Sequence, residues 1–139
     1  MSGAKVNQVE VRWDGGHRFD AGRPGSAHTI RLDASAETGP GPVDALLCAL
    51  AACTGVDVVD ILEKRRTPVR EFSMAVTGTR ADATPARLTA IALTYRIRGA
   101  GIERVHAERA IELAVTKYCS VRDSLDPAMP VTWTLDLGD

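Results

Sequence analysis

Apolar and polar residues alternate along short stretches at both ends of the chain, and a long apolar stretch of different period separates them. Val9, Val11 and Trp13 alternate with Glu10 and Arg12, the period-two pattern of a half-buried strand. Asp14-Gly15-Gly16 turns the chain, a second strand is expected near His17 to Asp20, and Ile30 and Leu32 alternate with Thr29, Arg31 and Asp33 in a third. These three are expected to pair antiparallel. Glu37 to Gly41 is a glycine and proline loop, and Pro42 then supplies a backbone angle suited to a first helical turn. A helix is predicted from Pro42 to about Arg66, ended by Thr67-Pro68. From Ala45 to Cys53 it carries no polar side chain, which predicts burial on every side. Gly55 marks a bend or a close backbone approach.

Phe72, Met74 and Val76 define a fourth strand and Ile91, Leu93, Tyr95 and Ile97 a fifth, joined through Ala81 to Pro85. A helix beginning at Ile102 sets Ala107, Ile111, Ala114, Val115 and Tyr118 on one face, against His106, Arg109, Glu112 and Lys117 on the other. Cys119 follows near its end, and Asp126-Pro127 stops a short helical piece after it. Val131, Trp133, Leu135 and Leu137 then alternate in a closing strand. The order βββ-α-ββ-α-β predicts an α+β fold with antiparallel sheet. No repeat, linker or low-complexity tract divides the chain, so one domain is expected over residues 1–139.

Composition narrows the function classes. At 45% hydrophobic and 25% charged, 139 residues suffice for a core, and a net charge of -1 argues against an electrostatic nucleic-acid binder. The longest basic run, Lys64-Arg65-Arg66, closes the predicted helix, where cations complement the dipole. Ser2-Gly3-Ala4-Lys5 after Met1 is not an apolar leader, and the run from Ala45 to Cys53 is short for a membrane span. No membrane association is expected, and the location is expected to be cytoplasmic. Three cysteines in such a chain read as free or redox-active thiols. Neither Cys-x-x-Cys nor His-x-x-x-His spacing occurs, so no metal site is expected. Gly15, Gly16, Gly22 and Gly25 make no phosphate-binding fingerprint, and no cofactor is expected.

Cys53 stands where the apolar run ends, with Asp57 and Asp60 one and two turns further along its line. Pro42, Asp44, the leucine and alanine run, Ala-Ala-Cys-Thr and Val-Asp-Val-Val together resemble the first cysteine helix of the OsmC/Ohr family of thiol-dependent peroxide reductases and their relatives. Lys117-Tyr118-Cys119-Ser120-Val121, 66 residues after Cys53, is similar to the stretch around that family's second cysteine. Gly22 to Asp33 resembles the glycine-rich turn and following strand of one subgroup. The resemblance implies antiparallel sheets packed around a long cysteine-bearing helix in an intertwined homodimer with shared sites. It also implies a peroxidatic Cys53, a resolving Cys119, an arginine from the amino-terminal turn region, where Arg18 and Arg23 both fall, and a carboxylate. The family's glutamate directly after the proline is replaced here by Val43, with Asp44 next, and on a straight helix Asp44 points about 180° from Cys53.

Peroxide cleavage needs a thiolate to attack one oxygen while positive charge accompanies the other. An arginine supplies that charge permanently, and Asp57 is either a solvated or structural carboxylate or the group that orients such an arginine in place of the missing glutamate. The sulfenic acid formed first would condense with a second thiol, for which Cys119 is the candidate. Its position before Ser120, with Asp123 three residues later, places it at the start of a short capped helix, where a thiolate is favoured. Cys48, about 140° around the helix from Cys53, reads as core packing. His28 is a candidate to line the site, whereas His17 has a weaker claim and His106 lies on a charged face. The leading expectation is a homodimeric hydroperoxide reductase recycled by a dithiol. The alternative is a small-ligand-binding relative that keeps the fold without peroxidase activity; a reductase of unrelated type lacks a close cysteine pair.

Overall fold

The computed structural model describes residues 3–139, so the reading made at Met1 and Ser2 lies outside the described residues. The chain forms two compact units, residues 1–46 and 47–139. In the first, β1 (Glu10–Trp13), β2 (Arg18–Gly22) and β3 (Ile30–Asp33) pair antiparallel as expected. Cross-strand partners share a face, so Val11, Ala21 and Ile30 lie beside Trp13, Phe19 and Leu32 on one side. Arg12, Asp20 and Arg31 occupy the other side, where Arg31 donates to Asp20 and Asp14, each at 2.8 Å. The apolar side is largely uncovered: Trp13 is 65% and Ile30 62% exposed. Asp33 organises the loop that follows, because its carboxylate accepts from Thr38 Oγ1 at 2.8 Å and from the Thr38 and Ser35 N–H groups at 2.9 Å. These bonds, the Thr38 hydroxyl first, hold its pKa down at about 2.

Helix α1 spans Pro42–Lys64. In the second unit its Leu50, Val58 and Leu62 are fully buried with Thr54, an i, i+4 stripe facing the core. The opposite stripe, which includes Cys48, Ala49, Ala52 and Val56, is exposed. Burial on every side is therefore corrected: an unbroken apolar run carries no period, so the sequence hides which half of the helix meets the sheet. By length and composition this 23-residue helix would suffice to cross a membrane. Its inward stripe instead packs in a protein core. Gly55 is a close approach, since a Cβ there would sit 3.0 Å from Met74 Cε.

The second sheet comprises β4 (Glu71–Arg80), β5 (Leu88–Arg98) and β6 (Val131–Gly138), with β5 central. Ile91, Leu93, Tyr95 and Ile97 of β5 are all buried, as their alternation predicts. β4 and β5 pair antiparallel, but β5 and β6 pair parallel, so the sheet is mixed and the expectation of purely antiparallel sheets is corrected. The physical reason is the crossover: residues 99–130 carry the chain back to the start of β5, as a parallel pair requires. That crossover contains α2 (Arg104–Leu113), a π-helical turn (Ala114–Tyr118) and α3 (Ser120–Asp123). The wide turn delays the inward-facing position by about one residue. Cys119 is consequently buried and Tyr118, expected on the apolar face, is 50% exposed.

One polar contact crosses this core. Thr54 Oγ1 donates to the Ala51 carbonyl at 2.9 Å, which leaves the Tyr95 phenol as donor in the 2.7 Å bond between Tyr95 Oη and Thr54 Oγ1. Burial raises the Tyr95 pKa and keeps the phenol protonated for this role. Thr54→Val would orphan a buried hydroxyl and is expected to cost about 1–3 kcal/mol, whereas Tyr95→Phe removes the donor itself and is expected to cost about 0.5–1.5 kcal/mol. Urea unfolding of both variants checks the order; equal costs would mean that the bond is not formed in solution.

Candidate functional site

Cys53 is half-buried on α1, immediately before Thr54, and packs against the core of the second unit. Cys119 reaches the same place from the crossover. The Cys119 N–H closes the π-helical turn on the Ala114 carbonyl at 3.0 Å, after which the backbone extends and Cys119 becomes the N-cap of α3. Its Sγ accepts from the Arg122 N–H at 3.2 Å, so the cap of the expected short helix is Cys119 itself. Cys53 packs against the core cluster that contains Cys119 and influences its thiol electrostatically, so two thiols far apart in sequence lie close together.

The electrostatics of Cys119 reverse one expectation. Its residue is only 4% exposed, and burial, more than any other cause, pushes the thiol up to about 11. The Arg122 N–H pulls the other way, and Cys53 adds to the rise. The short capped helix therefore does not favour a thiolate, because one cap hydrogen bond does not offset desolvation. At neutral pH the Cys119 thiol is protonated.

The remaining expected residues fall in different places. Asp57 is half-buried on α1, and no arginine bonds to it among the described residues. Arg18, Arg23, His28 and Asp44 belong to the amino-terminal unit. There Arg18 donates to the Asp14 carbonyl at 3.0 Å, and Arg23 and His28 are exposed in the segment between β2 and β3. Asp44 accepts from the Gly41 N–H at 2.9 Å and so fastens the start of α1. His17 meets Ser35 Oγ at 3.0 Å, and His106 pairs with Glu103 at 3.2 Å. Cys48 is exposed, which corrects its reading as core, because it lies on the outward stripe of α1. No cluster of His, Cys, Asp and Glu suited to a metal ion occurs among the described residues.

Three groups beside the thiols escaped the sequence reading. Tyr95 read as an ordinary inward strand residue, and only its bond to Thr54, next to Cys53, gives it a place here. Arg122 stands three residues after Cys119, the capping spacing, and its guanidinium holds the loop before β6 by donating to the carbonyls of Asp126 at 3.0 Å and Met129 at 2.8 Å. Lys117 shares with Cys119 and Arg122 the wall of a hollow of about 410 Å³.

Comparison with known proteins extends this picture. Residues 33–134 match the profile of the OsmC-like protein family. The chain is 32% identical to protein YhfA of Escherichia coli K12 over 131 residues, 94% of this chain and 97% of the relative. A hypothetical protein from Aquifex aeolicus VF5 has the same fold, with a TM-score of 0.82 and 27% identity over 98% of this chain and 100% of that one. The organic hydroperoxide resistance protein OhrB of Bacillus subtilis shares the fold more distantly, at a TM-score of 0.63 and 17% identity over 95% of this chain and 98% of that one. With its profile matched over most of the chain and a curated relative aligned along nearly all of it, the chain belongs to the OsmC-like protein family.

Proposed function

We propose that this protein is a thiol-dependent hydroperoxide reductase in which Cys53 is the peroxidatic and Cys119 the resolving residue. The observation that carries this reading is the convergence of the two thiols on one core. Cys119 keeps its proton, so Cys53 is the attacking group. Its thiolate displaces alkoxide from the hydroperoxide, forming a sulfenic acid, and the alkoxide leaves as the alcohol after taking a proton. Cys119 then attacks the Cys53 sulfur; the S–O bond breaks, the Cys119 proton leaves with the hydroxide as water, and a disulfide forms. A dithiol returns the pair to the reduced state. An organic hydroperoxide is the substrate class, a choice supported by the fold shared with OhrB.

The active species is a homodimer. Val11, Trp13 and Ile30 on the amino-terminal sheet and Val56 on α1 are more than half exposed, an amount of apolar surface that association would cover. A cytoplasmic location fits three free cysteines.

Cys53→Ser is expected to abolish hydroperoxide consumption. Cys119→Ser should consume about one equivalent and stop, with Cys53 trapped by a sulfenic-specific reagent. Cys48→Ala should turn over normally. Peptide mapping of the peroxide-treated wild type should find a disulfide between Cys53 and Cys119; no thiol loss at all would favour the ligand-binding alternative.

The raised pKa of Cys119 gives a pH dependence with a defined sign. A thiol whose folded pKa of about 11 lies above its ordinary 9.0 stabilises the fold below pH 9 and loses that contribution between pH 9 and 11. Urea titrations across this window should show a loss in the wild type that is absent in Cys119→Ala, and site-resolved alkylation of Cys119 should accelerate up to about pH 11. Alkylation that has already levelled off at pH 8 would contradict the assignment of the proton. Sedimentation at micromolar concentration is expected to find a dimer, and a dominant monomer would remove the dimeric active species.

A further inference from the structure

The hollow of about 410 Å³ touches Cys119 but not Cys53. Val115, Leu125 and Val131 form apolar walls, and Lys117, Arg122 and Asp123 bring charge to it. The Arg122 guanidinium is engaged with backbone carbonyls, while the Lys117 ammonium lies 5.5 Å from the Tyr118 ring centre and has no carboxylate partner among the described residues. A space of this size takes a small molecule or the tip of a longer arm. One of its surfaces is a sulfur atom's residue that is otherwise almost wholly covered.

We infer that the disulfide is reduced through this hollow: the thiolate of a dithiol enters it and attacks Cys119 Sγ, releasing Cys53. The inference rests on the Cys53–Cys119 disulfide of the preceding section. Thiol–disulfide exchange is an in-line displacement, so the attacking sulfur must approach the struck sulfur from the side opposite the leaving one. The hollow borders Cys119 without bordering Cys53, so a thiolate that enters it meets Cys119 and not Cys53. The choice of leaving group agrees, because the more acidic thiol departs faster and burial makes Cys119 the poorer one.

The step balances without any further reagent. The bond between the two protein sulfurs breaks, a bond between Cys119 Sγ and the reductant forms, and Cys53 leaves as thiolate. The second thiol of the reductant, as thiolate, then attacks the reductant's own sulfur in the mixed disulfide, and Cys119 departs with a proton. Two electrons pass from the dithiol to the protein.

Oxidation with diamide, which makes disulfides without peroxide, separates this inference from the peroxidase reading. The oxidised wild type is treated with one equivalent of glutathione, quenched in acid, alkylated and mapped. Glutathione is expected on Cys119 with Cys53 free to be alkylated; glutathione on Cys53 would overturn the inference. In Lys117→Glu the rate with glutathione, an anion, should fall about threefold or more relative to the rate with neutral 2-mercaptoethanol. An unchanged ratio would overturn entry through the hollow. A disulfide that forms with diamide in a protein that consumes no hydroperoxide sinks the peroxidase reading and leaves this inference standing. Failure of diamide to join Cys53 and Cys119 overturns both.

Discussion

The hydrogen bond between Tyr95 and Thr54 is the constraint on which the placement of the thiols depends. An apolar helix on an apolar sheet slides at little cost, because dispersion and hydrophobic burial have no preferred direction. A buried phenol that must find an acceptor removes that freedom, since every other register leaves it unsatisfied. Thr54 is that acceptor, and it adjoins Cys53 in the chain. The register of α1 on β5 and the position of the first thiol are thus one quantity. The same core receives Cys119 through the π-helical turn.

Burial sets the two thiols apart. Cys53 sits at the edge of the core and Cys119 within it, and burial raises the pKa of the Cys119 thiol. Here the difference arises from depth, with the cap hydrogen bond from Arg122 opposing it only in part.

Much of this was legible in the sequence. The alternation of Ile91, Leu93, Tyr95 and Ile97 announces β5, and Pro42 and Thr67-Pro68 bracket α1. What stayed hidden has physical causes. Period-two alternation states which face a residue takes but not which way the neighbouring strand runs, so the parallel pairing of β5 and β6 was missed. A stretch that is apolar throughout has no phase, which is why Cys48 read as core and is exposed. The thiol pKa of Cys119 depends on desolvation by residues distant in sequence, which no local pattern records.

The parallel pairing also bears on how the chain folds. β5 and β6 meet only after residues 99–130 have been brought back along the sheet, a non-local closure whose entropic cost precedes any reward. Cys119 lies on that connection and has no core to enter until it closes. Before that moment the chain carries three ordinary thiols with no order among them, so a slow closing step is also a window of vulnerability to misoxidation. The burial that sets Cys119 apart from the other two thiols exists only once the crossover has closed.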